Sequence, residues 1–331
     1  MCFGFDGERA LADSLARKGA SRRSLFRGAA AGAAGLAAVG AAAGPSYAGK
    51  PGAPGKPGHG HGPGHGPGHG KGRTVPHQDI SIQMYTLRAA TGDLAASDLV
   101  LDRLAQYGYE KIELAGLLNR SARELRTRLD GLGIRASSSH DGISADAAAL
   151  RTKLENAVVL GQEFINVPYL NSTSLSDWQR WADQMNAEAA QAKRYGLRYG
   201  YHNHAHEFTI DLGGGLTPWQ VLTSRLDRKL VHLEVDLYWA YTAGLNTGAA
   251  DPLQFAIDVV RKAPQQVRQY HVKDRDAATG DMADLGTGVI DFPRIFRAHQ
   301  VEEWIVENDT PDVTPLTSAA VGHLYLDHVG F

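Results

Sequence analysis

The sequence predicts an α/β fold: a single (β/α)8 TIM barrel over residues 79–331, preceded by a signal peptide and a disordered Gly/Pro/His-rich linker. Three observations carry that reading. From Asp79 onward, β-like runs and helix-like stretches alternate eight times, the pattern of a parallel sheet covered by helices. The region is close to the roughly 250 residues usual for such a barrel. Four of the runs also end in carboxylates and imidazoles, where a barrel of this kind builds its site. These endings are Tyr201-His202-Asn203-His204-Ala205-His206-Glu207-Phe208, Leu233-Glu234-Val235-Asp236, Tyr270-His271-Val272-Lys273-Asp274 and Trp304-Ile305-Val306-Glu307-Asn308-Asp309. A doubly wound open sheet is the alternative, but no Gly-x-Gly-x-x-Gly turn comes after the first run.

The first strand is Ile80 to Tyr85, and its helix stops at Tyr107-Gly108. The second strand, Lys111 to Leu114, leads to a helix opened by Ser121 with Glu124 three residues on, a capping box. Ile134 to Ser139 and Phe164 to Val167 are the third and fourth strands; Ser176-Asp177 is expected to cap the long helix after them. The fifth strand is expected to run from Leu197 to about His204, with Pro218 starting the next helix. Val231 to Asp236 is the sixth strand, and Asp251-Pro252 opens its helix. Val267 to Val272 is the seventh. Trp304 to Val306 is the eighth, and a helix near Thr317 to His328 closes the ring.

Residues 1–48 read as a twin-arginine export signal. Ser21-Arg22-Arg23-Ser24-Leu25-Phe26-Arg27 is followed by an Ala/Gly-rich run and by Ser46-Tyr47-Ala48 at a cleavage point. The run is too short and glycine-rich to span a membrane, which takes about 20 apolar residues. The expected partner is the twin-arginine export machinery, the location secreted or extracytoplasmic, with no stable membrane span in the mature protein. The only cysteine, Cys2, would leave with the signal, so stability must come from the core. Residues 49–78 read as a solvated spacer; His59, His61, His65 and His69 give it at most weak affinity for transition metals. A net charge of -2 and the lack of a basic stripe argue against nucleic acid as a partner.

The motifs together resemble the sugar phosphate isomerase/epimerase superfamily, the xylose isomerase-like barrels. The pieces are Gln83-Met84-Tyr85-Thr86-Leu87-Arg88, Ile112-Glu113-Leu114-Ala115-Gly116, the Tyr201–Phe208 segment, Glu234-Val235-Asp236-Leu237-Tyr238-Trp239, His271-Val272-Lys273-Asp274, Gly286 to Phe292 and Ile305-Val306-Glu307. The resemblance implies one divalent metal ion (Mn, Zn, Co or Mg) near the barrel mouth. Asp236, His271 and Glu307 match three ligand positions. The fourth ligand is expected to be Glu207, with His202 as its replacement. Strand parity puts His202, His204 and His206 on one face and Glu207 on the other, so Glu207 can ligate only if the strand bends or ends before it.

The implied function is an exported metal-dependent sugar isomerase or epimerase acting through an enediolate. Glu307 is the first choice of base, with Glu207 or His202 on the opposite side. Lys273 either stabilises an enediolate oxygen or pairs with Asp274 or Asp276. Glu113, His140 and His204 are expected near substrate, or in structural hydrogen bonds, and Trp239 as a platform for a sugar ring or as packing. A keto-sugar dehydratase or lyase is the alternative, since an enolate can also expel a β-oxygen. A non-catalytic sugar- or metal-binding protein is the third reading. Gly286-Thr287-Gly288 is too short to be a phosphate cradle.

Overall fold

The computed structural model describes residues 72–331; the expected export signal and the expected linker up to residue 71 lie outside them. Eight parallel strands form a TIM-barrel-like ring: β1 Ile80–Ile82, β2 Lys111–Leu114, β3 Arg135–Ser139, β4 Phe164–Val167, β5 Arg198–His202, β6 Val231–Asp236, β7 Val267–Val272 and β10 Glu303–Val306. Six of them pair in the order β1-β10-β7-β6-β5-β4, and β2 pairs with β3. Parallel bridges Gln83–Glu113 and His140–Asn166 tie the pair to both edges of the six. A two-residue antiparallel pair, β8 Asp274–Arg275 with β9 Met282–Ala283, decorates the mouth.

Local chemistry explains most helix ends. Ser121 and Glu124 form the capping box expected at the helix Ala122–Asp130. Asp251 accepts from Gln254 N ahead of Pro252–Lys262. Gly108 and Gly161 end their helices in the left-handed region, at φ 96° and 74°, where a side chain would be strained.

Five expectations need correction. The first strand, expected to reach Tyr85, stops at Ile82, and a 3-10 helix, Met84–Ala90, comes after Gln83. The fifth strand stops at His202, because the side chain of Asn203 takes the N–H of Asp236 at 3.1 Å and ends the ladder; a short 3-10 turn, His206–Phe208, comes next. The long fourth helix begins at Leu175 after Ser174, ahead of Ser176-Asp177. A helix Leu237–Asn246, which the sequence pattern does not announce, comes directly off β6. Residues 72–78, expected to belong to the linker, dock on the barrel: Thr74 bridges Gly330, Val75 is buried, and Phe331 donates its N–H to Arg73 O at 2.8 Å.

Side chains alternate along the strands with period two. Ile80, Ile112, Val167, Leu233, Val235, Tyr270 and Trp304 face the helices and form the apolar core with them. The intervening positions face the barrel axis and are polar: Gln83, Glu113, Asn166, His202, Glu234, Gln269, His271 and Glu303 are all buried. Most barrels fill this space with branched aliphatics. Here a hydrogen-bonded column does so. Asn166 Nδ2 donates to Glu234 at 2.6 Å and to Gln269 at 3.0 Å, and Gln269 donates to Glu303 at 2.9 Å.

Glu303, at the floor of this column, supplies a prediction. Burial pushes its carboxyl up to about 7 from an ordinary 4.5, against the pull of Lys111 and the Ser137 and Gln269 hydrogen bonds. The folded state therefore holds a proton that the unfolded state releases. Stability falls as pH rises from about 4.5 to about 7 and is level above that, a loss of roughly 3 kcal/mol at about 1.4 kcal/mol per unit. Denaturant unfolding between pH 5 and 8 is expected to show a shallower slope for Glu303→Gln than for wild type. Parallel slopes would mean that Glu303 is ionised throughout.

Candidate metal centre

Four strand ends bring His202, Asp236, His271 and Glu307 together, with a donor atom from each within 4.8 Å of every other. All four are buried. Period-two alternation places them: His202 and Asp236 end β5 and β6, His271 is the penultimate residue of β7, and Glu307 comes directly after β10. Asp236 also caps the helix Leu237–Asn246. Its Oδ1 accepts from Trp239 N at 2.9 Å, which leaves Oδ2 to face the centre. His271 Nδ1 lies 2.6 Å from Glu307 Oε2, and its Nε2 lies 2.6 Å from Glu113 Oε1. Glu113 is itself held by Gln83 at 2.7 Å and Ser138 at 2.5 Å. A carboxylate behind a ring N–H fixes which nitrogen of the histidine faces a metal.

Lys273 reaches into the same space. Its Nζ is 2.6 Å from Glu307, 3.0 Å from Asp236 and 3.1 Å from Asp309. Burial works against ionising Glu307, but Lys273 and His271 outweigh it and hold the carboxyl well below its usual range. Asp309 is pushed the other way, to about 6, by burial and by Glu307. His202 is held neutral by burial and by the positive charge of His271 and His140. Neutral imidazole is the form that ligates a metal.

These residues fit a divalent cation. Asp236 Oδ2 faces His202 Nε2 across the centre at 3.7 Å, with Lys273 Nζ 3.0 Å from the same oxygen. Two carboxylates and two imidazoles form a mixed donor set suited to Zn, Co or Mn more than to Mg.

Glu207, the expected fourth ligand, joins neither this group nor any other metal-like group among the described residues. Because β5 ends early, the turn carries Glu207 behind the strand. There Tyr201 OH donates to it at 2.6 Å and His204 N at 2.9 Å. His202 occupies the fourth corner instead. Glu113, expected either near substrate or in structural hydrogen bonds, lies wholly buried beneath the centre as the partner of His271. Trp239 packs against His204, with ring centroids 5.3 Å apart, and over Lys273 at 5.8 Å.

A cavity of about 400 Å³ opens above the centre, lined by His140, His202, His204, Lys273, Glu307 and Asp309, with Tyr85 and Tyr169 as aromatic walls. Burial, with Lys273 adding to it, lowers His204 to about 3. Sequence reasoning misses Asp309 and Glu234 as site residues. Glu234 shares parity with Asp236 within β6 and is legible from that spacing; Asp309 has the same spacing from Glu307, but it lies beyond the end of β10, where strand parity no longer applies. Tyr85 and Tyr169 give no signal, since loops bring them to the mouth.

Known proteins share this architecture. Residues 101–306 match the family model described as Xylose isomerase-like TIM barrel. Two curated proteins named inosose dehydratase are similar. The one from Bacillus licheniformis is 27% identical over 212 residues, 56% of this chain and 64% of its own length. The one from Geobacillus kaustophilus is 26% identical over 278 residues, 72% of this chain and 89% of its own. The chain thus spans just under two thirds of the first relative. Among solved structures, a sugar phosphate isomerase/epimerase from Parabacteroides distasonis superposes with TM-score 0.60 at 21% identity, covering 76% of this chain and 93% of that one. The IOLI protein with a bound zinc atom gives 0.56 at 13%, covering 75% and 96%. An L-ribulose 3-epimerase gives 0.52 at 18%, covering 74% and 92%. At these identities the solved structures establish the fold alone.

Proposed function

Since the chain belongs to the xylose isomerase-like TIM barrel family, we propose that it is a divalent-metal-dependent sugar isomerase or epimerase working through an enediolate. The observation that carries this reading is Glu307, an ionised carboxylate that lines the mouth cavity beside His271 and Lys273. His202, Asp236, His271 and Glu307 would hold the cation, which supplies a Lewis acid that lowers the cost of charge on a sugar carbonyl oxygen.

The chain's own groups do the rest. Glu307 takes the proton from the carbon beside the carbonyl. The Lys273 ammonium faces the oxygen that gains charge. Asp309, with its carboxyl near 6, keeps a proton through mildly acidic pH and can return it. Two neighbouring carboxyls whose affinities for a proton are pushed apart suit opposite acid and base tasks. Return to the other face of the same carbon gives an epimer; delivery to the former carbonyl carbon gives an isomer. Tyr85 and Tyr169 supply apolar walls for a sugar ring.

Dehydration of a keto sugar is the second reading, favoured by the two inosose dehydratases among its relatives. It shares the proton abstraction by Glu307 and differs in the next step: a β-hydroxyl leaves as water, protonated from Asp309. One experiment separates the readings. The protein is incubated with keto sugars in deuterated water and the products are examined by mass and NMR. Isomerisation or epimerisation keeps the carbon skeleton's formula and places deuterium beside the carbonyl, whereas dehydration loses water. Turnover to oxidised or hydrolysed products without exchange would sink both.

Export by the twin-arginine route is part of the proposal on the strength of Arg22, Arg23 and the apolar run after them. Changing both arginines to lysine is expected to leave the protein inside the cell; unchanged export would overturn it.

A further inference from the structure

Lys273 carries an ammonium into the mouth, but the barrel sheet does not hold its backbone. The parallel ladder of β7 ends one residue earlier, at Val272. The lysine stem is long and flexible. Its Nζ nevertheless lies within 3.1 Å of Glu307, Asp236 and Asp309. A contact outside the sheet has to fix where that stem begins.

Asp274 makes that contact. Successive extended residues point to opposite sides, so Lys273 faces the mouth and Asp274 faces the loop after β9. There the Asp274 carboxylate, 1% exposed, accepts four backbone N–H groups. Oδ1 takes those of Arg275 at 2.8 Å and Ile290 at 3.1 Å; Oδ2 takes those of Gly288 at 2.9 Å and Gly286 at 3.0 Å. Converging N–H groups of this kind make a nest for an anion. Val289 N closes the seam on Arg275 O at 2.9 Å. Position 288 has to be glycine, since a Cβ there would collide with Asp274 Oδ1 and with Arg275 O. Neither Asp274 nor residues 286–290 line the mouth cavity.

We propose that Asp274 is a positioning residue: by tying residues 286–290 to the backbone beside Lys273, it keeps the Lys273 ammonium where the sugar oxygen gains charge. The inference rests on the enolate reading of the mouth. Asparagine in its place keeps the size but has one acceptor oxygen, and it turns an NH₂ toward two N–H donors. Half of the nest then opens, and the start of the lysine stem is no longer fixed. A rival route runs through β9, where Met282 Sδ accepts the Asp309 N–H at 3.1 Å; by that route a loosened hairpin displaces Asp309 instead.

A double-mutant cycle in the full-length, metal-loaded protein separates the two. Turnover of a keto sugar, and exchange of its α-hydrogen in deuterated water, are measured for wild type, Asp274→Asn, Lys273→Met and the double variant. Asp274→Asn alone is expected to lower kcat about 10- to 100-fold, the range for residues that orient a functional group from behind, with KM held within about threefold. In the Lys273→Met background the same change should cost nothing further, because no ammonium is left to place. Losses that multiply across the cycle overturn the inference, as does a rise in KM in place of a fall in kcat, or loss of the metal from Asp274→Asn but not from Lys273→Met. Should Asp274→Asn fail to fold, Gly288→Ala, whose Cβ displaces the same carboxylate, takes its place with the same expectation. A wild type that converts no keto sugar overturns the reading of the mouth and this inference together; an active wild type with multiplying losses overturns this inference alone.

Discussion

Glu307→Gln is expected to lower turnover by about 10²- to 10⁴-fold, the range usual for loss of a general base. Glutamine keeps the size of the side chain and one ligating oxygen, but it cannot accept a proton as a carboxylate does. Because Glu307 is also a ligand in the proposed centre, activity alone does not separate the two roles. Metal content measured on the same preparation does. With an ion still bound, the variant should also lose the exchange of the substrate's α-hydrogen with deuterated water, since that step needs only the base. A metal-loaded variant that exchanges at close to the wild-type rate would move the base elsewhere, Asp309 being the next carboxylate in the cavity.

Ligand identity gives the second large effect. His202→Ala is expected to weaken Zn²⁺ binding by more than the roughly 10–100-fold typical of residues that only support a ligand. Glu207→Gln should leave affinity within a few-fold of wild type, because Glu207 spends its oxygens on Tyr201 and on the backbone of His204. Competition titration with a chromogenic chelator reads both. Equal losses in the two variants would return Glu207 to the ligand set.

The barrel is legible in the sequence because strand alternation and cap residues are local signals. Ser121 with Glu124, Pro218 and Asp251 each mark a helix start within one residue of where it lies. Three of the four members of the mouth set stand out as ligands for the same reason: Asp236, His271 and Glu307 sit at or beside strand ends, at positions matching a family pattern. The fourth stays divided between Glu207 and His202, because the choice turns on where the fifth strand ends. What stops the strand is a contact between elements, the Asn203 side chain on the Asp236 N–H, and period-two reasoning along one segment cannot register it. The polar axis of the barrel is hidden in a similar way. Glu113, Asn166, Gln269 and Glu303 are far apart in the chain, and each alone looks like a surface residue until the ring brings them together.

The docking of residues 72–75 against the C-terminus sets how the domain can be held. Thr74 meets Gly330, and His77 bonds Asp327 at 2.9 Å. Asp79, next along, shares the floor of the barrel with Lys111 and Glu303. The chain therefore enters and leaves on the side opposite the mouth. A bead or fusion partner attached at Gly72 or Phe331 faces the floor and leaves the approach to the cavity open. Ends this close also make the barrel suited to circular permutation: a short bridge from Phe331 to Gly72 could move the entry point to a helix-side loop without touching a strand end that carries chemistry.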